Sequence, residues 1–288
     1  MPLSDSGADS GVALDEQLAE ASRLSEEGED QLALDLLLGL EADYPDDATL
    51  LCMIGALAAH AGAEGMAVDY FRRCLDKSPT DPTLLITAGS GLALSGDAAA
   101  EPALRMAVLT APDLPAARLH YGNYLVRAGL LEQGLEELST ARRLDPDDSG
   151  IREASGLAYL LAGRAGEALV ELEAAATGSD DPSARLLYGL ALIQEGDLSR
   201  AAEELLPLAE SMVEEAEVQA VLALVFGIEG WENEAWLALS RAEEAEVRVD
   251  PAALREVEEA IEGGEESMRA LLLDEIAPSA LRERMFRD

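Results

Sequence analysis

The chain has 288 residues, of which 49% are hydrophobic, and its 58 acidic against 20 basic side chains give a formal net charge of −38. Such a charge repels phosphate backbones and anionic lipid surfaces, which argues against a nucleic-acid partner. No apolar run reaches the roughly 18–20 residues that a membrane span needs. The opening MPLSDSGADSG lacks the basic and apolar regions of a secretory signal. We therefore expect a cytoplasmic protein without a membrane span.

The acidity itself has two explanations. A solvated acidic face suits a salty medium or improves solubility. A basic partner would be attracted by the same charge. We favour the first explanation, and the sequence leaves the second open.

Residues 1–12 are polar, and we expect them to be disordered. From residue 13 to 250 a pattern repeats seven times, marked by glycines that are 33 or 34 residues apart. A small residue lies seven positions before each of these glycines, and an apolar residue lies nine positions after it, or eight in the third unit. The marking glycines are Gly28, Gly62, Gly96, Gly129, Gly163, Gly196 and Gly230. A period sustained over seven units indicates a repeat architecture.

Each unit is typical of a helix, a tight turn and a second helix. Glycine ends the first helix in a turn with positive φ, and small residues let the two helices approach closely. Because one such pair cannot bury its apolar face alone, the units are expected to stack. Pro207 lies inside the second helix of the sixth unit, which predicts an irregular joint over residues 207–217.

Over residues 14–250, in segments such as GNYLVRAGLLEQGLEELSTARRLDP, the pattern resembles the tetratricopeptide repeat family. The resemblance implies an all-α fold, a right-handed α-solenoid of about seven helix–turn–helix repeats plus a C-terminal capping helical pair. Residues 251–277 are interpreted as a degenerate eighth repeat or capping pair. The tail 278–288 is either a short amphipathic helix or a frayed end, and we favour the frayed end.

In this family the first helices line a concave groove, so the resemblance implies a protein-binding surface. For any single residue of that surface, the core between helices remains an alternative location. The candidate groove residues, which are mainly apolar, are Ile86, Leu119, Asn123, Val126, Arg127, Leu157, Leu160, Leu161, Leu186, Leu190 and Ile193. Asn123 and Arg127 are the only partial matches to the clamp with which family cochaperones hold acidic chaperone tails, so we expect no such clamp.

The resemblance and the apolar candidates favour a non-catalytic adaptor, chaperone or assembly factor that binds a peptide or helix of a partner. The alternative is a scaffold that associates with itself to form a homo-oligomer. In this alternative the acidic outer face binds a basic partner. Three arginines, Arg118, Arg152 and Arg185, recur at equivalent positions. Their guanidinium groups bind carboxylates of a partner or, as we favour, pair with acidic side chains of this chain.

Catalytic and metal-binding patterns are missing from the sequence. His60 and Cys52 are eight residues apart on one helix, too far for a nucleophilic pair. The two cysteines, Cys52 and Cys74, form no zinc or disulfide pattern, and we interpret them as packing residues in a reducing compartment. We expect neither an enzyme nor a cofactor.

Overall fold

The structure, a computed structural model, describes residues 6–178, 181–212, 215–245 and 250–284, without the side chains of residues 6–13 and 283. The chain divides into two compact units, residues 1–124 and 125–288. Across the described ranges the regular structure is helical, with no β-strand.

The first unit consists of consecutive helices that pair as hairpins. The pairs are α1 with α2, α3 with α4, and α5 with α6. Helix α7 follows them and includes the boundary between the units. The bounds are α1 Ser6–Glu26, α2 Asp30–Leu40, α3 Ala48–His60, α4 Glu64–Asp76, α5 Pro82–Leu94, α6 Ala100–Thr110 and α7 Pro115–Arg127.

The second unit continues the pattern, with α9–α10, α11–α12 and α14–α15 in contact as hairpins. Its bounds are α8 Leu131–Leu144, α9 Ser149–Leu161, α10 Ala165–Gly178, α11 Pro182–Glu195, α12 Leu198–Leu205, α13 Leu208–Ser211, α14 Ala216–Ile228, α15 Glu232–Glu244, α16 Pro251–Gly263, α17 Glu265–Leu271 and α18 Ala277–Arg284. A π-helical turn, Leu272–Ile276, joins α17 to α18.

The turn glycines adopt the predicted conformation. All seven have φ between +66° and +83°, and Gly264 follows with +89°. At Gly196 the N–H donates to Ile193 O (3.0 Å), and the N–H of Asp197 donates to Leu192 O (2.9 Å). These bonds satisfy carbonyls at the end of α11. The Asp197 carboxylate then accepts from the Arg200 N–H (3.2 Å) and caps α12.

Close helix packing at the small residues is also confirmed. A Cβ built on Gly156 would lie 2.3 Å from Leu172 Cγ, and one built on Gly189 would lie 2.3 Å from Leu205 Cδ2. In both hairpins the glycine precedes the turn glycine by seven positions and the leucine follows it by nine. The repeating pattern therefore predicted which residues meet between the two helices.

The irregular joint occurs where Pro207 predicted it. Helix α12 ends at Leu205, and α13 is only four residues long. The buried Gln219 side chain donates through Nε2 to Met212 O (3.0 Å) and Ala209 O (3.4 Å). These bonds replace partners that a continuous helix would have supplied. Residues 213–214 lie outside the described residues.

Both ends of the chain differ from the expectation. Helix α1 begins at Ser6, so residues 6–12 are helical, while residues 1–5 lie outside the described residues. Extending an existing helix is much easier than nucleating one, which explains how a polar segment continues α1. The tail is helical as far as Arg284, and α18 buries Ala280 and Leu281 against the rest of the second unit. Residues 285–288 lie outside the described residues.

Candidate protein-binding face

Three helices of the second unit form the surface of interest. Helices α9, α11 and α14 each end one or two residues before a turn glycine, so they are the first helices of successive hairpins. Helix α18 contacts all three of these helices. We call the side of α9, α11 and α14 that α18 contacts the first-helix face of the second unit.

Candidate groove residues of the first unit differ in burial. Ile86 is buried in a small cluster with Val108 and Ala117. Leu119 and Asn123 are half-buried. Near them, Ser90 Oγ and His120 Nδ1 are 3.0 Å apart, which makes this stretch of first helices partly polar.

Candidates beyond residue 124 are mostly inaccessible. Val126 is buried and Arg127 is half-buried. Among those on α9 and α11, Leu157 and Leu161 are half-buried. The remaining four, which are at most 2% exposed and belong to the main core cluster, are Leu160, Leu186, Leu190 and Ile193. A solvent-open groove therefore does not describe this part of the chain.

The C-terminal segment lies against the first-helix face. Helix α17 and the π turn contact α14, and α18 contacts α14, α11 and α9. The approach to α14 is close, since a Cβ on Gly227 would lie 2.5 Å from Met268 Sδ. The end of the chain is thus folded back across three first helices.

Helix α18 presents a regular stripe to this face. Ala277, Ala280 and Leu281 are 2%, 6% and 3% exposed, at positions i, i+3 and i+4. At i+7, Arg284 forms an ion pair with Glu215, and its Nη1 lies 3.4 Å from Ser183 Oγ. The spacing is that of an amphipathic helix. It was visible in the sequence, but the sequence did not reveal a surface for it to cover.

The three recurring arginines have partners within the chain, and two of them, Arg152 and Arg185, pair with acidic side chains as favoured. Each of the three arginines has a partner within its own unit. Arg118 Nε donates to Pro112 O (3.2 Å), and Arg152 Nη2 donates to Pro146 O (2.6 Å). Two ion pairs are also present. Arg152 Nη1 lies 3.7 Å from Glu171 Oε2, and Arg185 Nη1 lies 3.8 Å from Glu204 Oε2. Two of the three arginines hold the backbone carbonyl of the proline that precedes their helix.

A hollow of about 440 Å³ lies beside the break at Pro207, between the segment after α12 and helix α15. We call it the break hollow. Its apolar wall includes Leu206 and Leu237, which are 43% and 52% exposed. Glu210 and Glu234 also line it. The sequence predicted the break but not the hollow that results from it.

The remaining candidate groups show no reactive arrangement. Both cysteines are free and buried. The hydrogen bond with Cys74, together with burial, raises the pKa of the Cys52 thiol. Among the described residues, no group of three or more His, Cys, Asp or Glu could hold a metal. Within the same residues, no helix is long and apolar enough to cross a membrane.

No protein-family model matches the sequence, and no curated protein matches it. Solved structures do match. PilW, a widely conserved type IV pilus biogenesis factor, is 17% identical to this chain with a TM-score of 0.65, and the match covers 72% of this chain and 97% of PilW. The matched chain of the Cut9–Hcn1 hetero-tetramer of the APC/C is 17% identical to this chain, with a TM-score of 0.68. The match covers 82% of this chain and 48% of the matched chain, about half its length. TTC0263, a thermophilic TPR protein of Thermus thermophilus, is 22% identical to this chain, with a TM-score of 0.51. The match covers 62% of this chain and 98% of TTC0263.

The hairpins, their turn glycines and their close helix packing define an α-solenoid repeat protein. Within that class the chain has the tetratricopeptide repeat fold, as the resemblance implied.

Proposed function

We propose that the chain is a non-catalytic protein–protein interaction module, an adaptor, chaperone or assembly factor that holds a peptide or helix of a partner on an apolar concave surface. One observation supports this most: α18 lies across α9, α11 and α14, so the first-helix face already accommodates an amphipathic helix. Recognition of a helix by an apolar groove is a recurring mode of peptide binding.

The electrostatics support a protein or peptide partner rather than a nucleic acid. A net charge of −38 opposes the approach of phosphate groups. The two free, buried cysteines are consistent with a reducing compartment such as the cytoplasm.

The test uses two variants of one hairpin. Leu161→Asp places a charge at a half-buried position of α9, a first helix. Val170→Asp makes a comparable change on α10, the second helix, where the side chain is 66% exposed. The full chain serves as bait in a lysate, bound proteins are identified by mass spectrometry, and circular dichroism checks folding.

The wild type and Val170→Asp are expected to retain the same protein, which Leu161→Asp loses while it remains folded. Retention by all three would contradict binding on the first helices.

A second candidate function is a self-associating scaffold whose acidic outer face binds a basic partner. The break hollow favours it, because exposed Leu206 and Leu237 lie beside the carboxylates of Glu210 and Glu234, while the Arg241 guanidinium that also lines the hollow donates to the Ala209 carbonyl. A basic segment with one apolar side chain matches that combination. Glu210→Lys/Glu234→Lys should abolish capture of a basic partner, whereas Glu243→Lys/Glu244→Lys, an equal charge change at exposed positions, should not.

Light scattering after size-exclusion chromatography tests the self-association part. A monomer at every salt and protein concentration would contradict it.

A further inference from the structure

The C-terminal helix α18 has the properties of a reversible occupant of the first-helix face. It is the last part of a helical segment that continues without a break from α17 through the π-helical turn, and its buried stripe consists of two alanines and one leucine. So small a stripe buries little apolar surface, which makes its contact with the face weak. Helix α18 is held both by its continuity with α17 and by its contacts with α9, α11 and α14.

The ion pair between Arg284 and Glu215 ties α18 to α14. Glu215 is the N-cap residue of α14, and Ser183 lies in the first turn of α11. The Arg284 guanidinium contacts both, so it lies near the N-terminal ends of two helices. Helix dipoles disfavour a cation there, and the Glu215 carboxylate supplies the compensating charge. The Arg284 side chain is only 13% exposed.

We propose that α18 is an intramolecular inhibitor of partner binding, and that the partner is an amphipathic helix which replaces it. The partner helix carries small or apolar residues at i, i+3 and i+4 and an arginine at i+7, because those positions of α18 contact the face. This inference rests on the function proposed above and adds the chemistry of the partner and the regulation of its site.

The first experiment measures whether α18 opens independently of the repeats. Amide hydrogen exchange is followed in the full chain for wild type, Arg284→Glu, Glu215→Arg and the double variant Glu215→Arg/Arg284→Glu. Each single variant places like charges in contact, and we expect exchange of residues 277–284 to accelerate by about tenfold, with α9 and α11 unchanged. The double variant restores an opposite-charge pair and should return exchange towards the wild-type rate.

Arg282→Glu is the matched control. It makes the same charge change on the same helix, at an exposed position, and should leave the exchange of α18 unchanged.

The second experiment uses a fluorescein-labelled peptide of residues 272–284 as the partner probe. In the wild type the chain's own segment competes at the high effective concentration of a tethered ligand. We expect the peptide to bind Arg284→Glu about tenfold more tightly than wild type. A peptide carrying Arg284→Glu should prefer the Glu215→Arg chain, because the opposite-charge pair then forms between peptide and protein.

Slow exchange of α18 in all variants, together with no peptide binding, would overturn the inference and make α18 a permanent cap. The proposed function would still be judged separately, by the loss of partner in Leu161→Asp. The opposite combination is also informative. If exchange and peptide binding follow the expectation but Leu161→Asp loses no partner, the proposed function is contradicted and the intramolecular switch stands.

Discussion

Gly156 and Leu172 are in close contact across a hairpin: a Cβ on Gly156 would lie 2.3 Å from Leu172 Cγ. Real Cβ atoms essentially never approach another heavy atom within 3.0 Å. The leucine side chain thus occupies the space that any larger residue at 156 would need, and its own exposure is 0%. The contact joins the first and second helix of one repeat.

Gly156→Ala should therefore destabilise the protein. Overpacking of this kind costs about 1–3 kcal/mol, which exceeds the gain of up to about 1 kcal/mol from replacing glycine by alanine in a helix. Urea unfolding followed by circular dichroism measures the difference. Gly39→Ala is the matched control, since Gly39 lies in α2 with nothing within 4 Å of the added Cβ. A gain in stability for both variants would contradict the packing argument.

The turn glycines make a second prediction, which concerns the backbone rather than packing. Gly196 has φ +83°, and a Cβ there meets nothing within 4 Å. Gly196→Ala should cost about 1–2 kcal/mol through left-handed strain alone, and Gly196→Asn should cost less because asparagine tolerates this region better. Thermal unfolding of the two variants gives the comparison. Equal losses would show that strain at φ is not the controlling factor.

Glu41 links two hairpins of the first unit and makes stability depend on pH. Tyr70 Oη donates to Glu41 Oε2 and Arg73 Nη2 donates to Oε1, both at 2.6 Å. The hydrogen bonds from Tyr70 and then Arg73 lower the pKa of Glu41 below its ordinary value of 4.5. A carboxyl with a depressed folded-state pKa contributes stability above the unfolded value, and that contribution is lost as pH falls through the folded pKa.

Glu41→Gln should thus reduce the free energy of unfolding by about 1 kcal/mol at pH 7, and the difference from wild type should shrink as the pH drops below 4.5. Urea unfolding at a series of pH values measures it. Glu203→Gln, at an exposed position of α12, serves as the comparison. A difference that stays constant down to about pH 3, well below the ordinary carboxyl pKa, would contradict this linkage.

Gln219 supports the break at Pro207, which leads to a fourth prediction. Its side chain is fully buried and bonds the carbonyls of Ala209 and Met212. Gln219→Leu keeps the volume but removes one donor from each carbonyl, while Met212 O keeps the Glu215 N–H and Ala209 O keeps Arg241, so the cost should be that of ordinary hydrogen bonds, about 0.5–1.5 kcal/mol. Thermal unfolding provides the value, and hydrogen exchange should show faster opening of residues 208–212. An unchanged melting temperature would mean that the broken segment is held by other contacts.

Much of the fold could be predicted because its determinants are local. Gly196 is needed where φ is positive, and its position relative to Gly189 and Leu205 repeats along the chain. Such spacings are visible in one dimension. Pro207 likewise removes a backbone donor wherever it lies in a helix, so the break followed from the residue itself.

The candidate site was harder to predict, because a concave surface is defined by what lies over it. Leu186 and Leu190 have the periodicity of either a groove or a core. Their burial comes from packing in the main core cluster. The same helix also meets a segment about a hundred residues further along, where Arg284 contacts Ser183. No local pattern encodes a contact across that separation.

The sequence by itself determined the repeat, its turns, the seam between paired helices and the break at Pro207, because each depends on residues close together in the chain. Only the tertiary structure decided that α18 folds back over α9, α11 and α14. The direction of α18 depends on the π-helical turn that joins it to α17 and on the helices that it contacts, and the contacts with α9 and α11 join residues far apart in the chain.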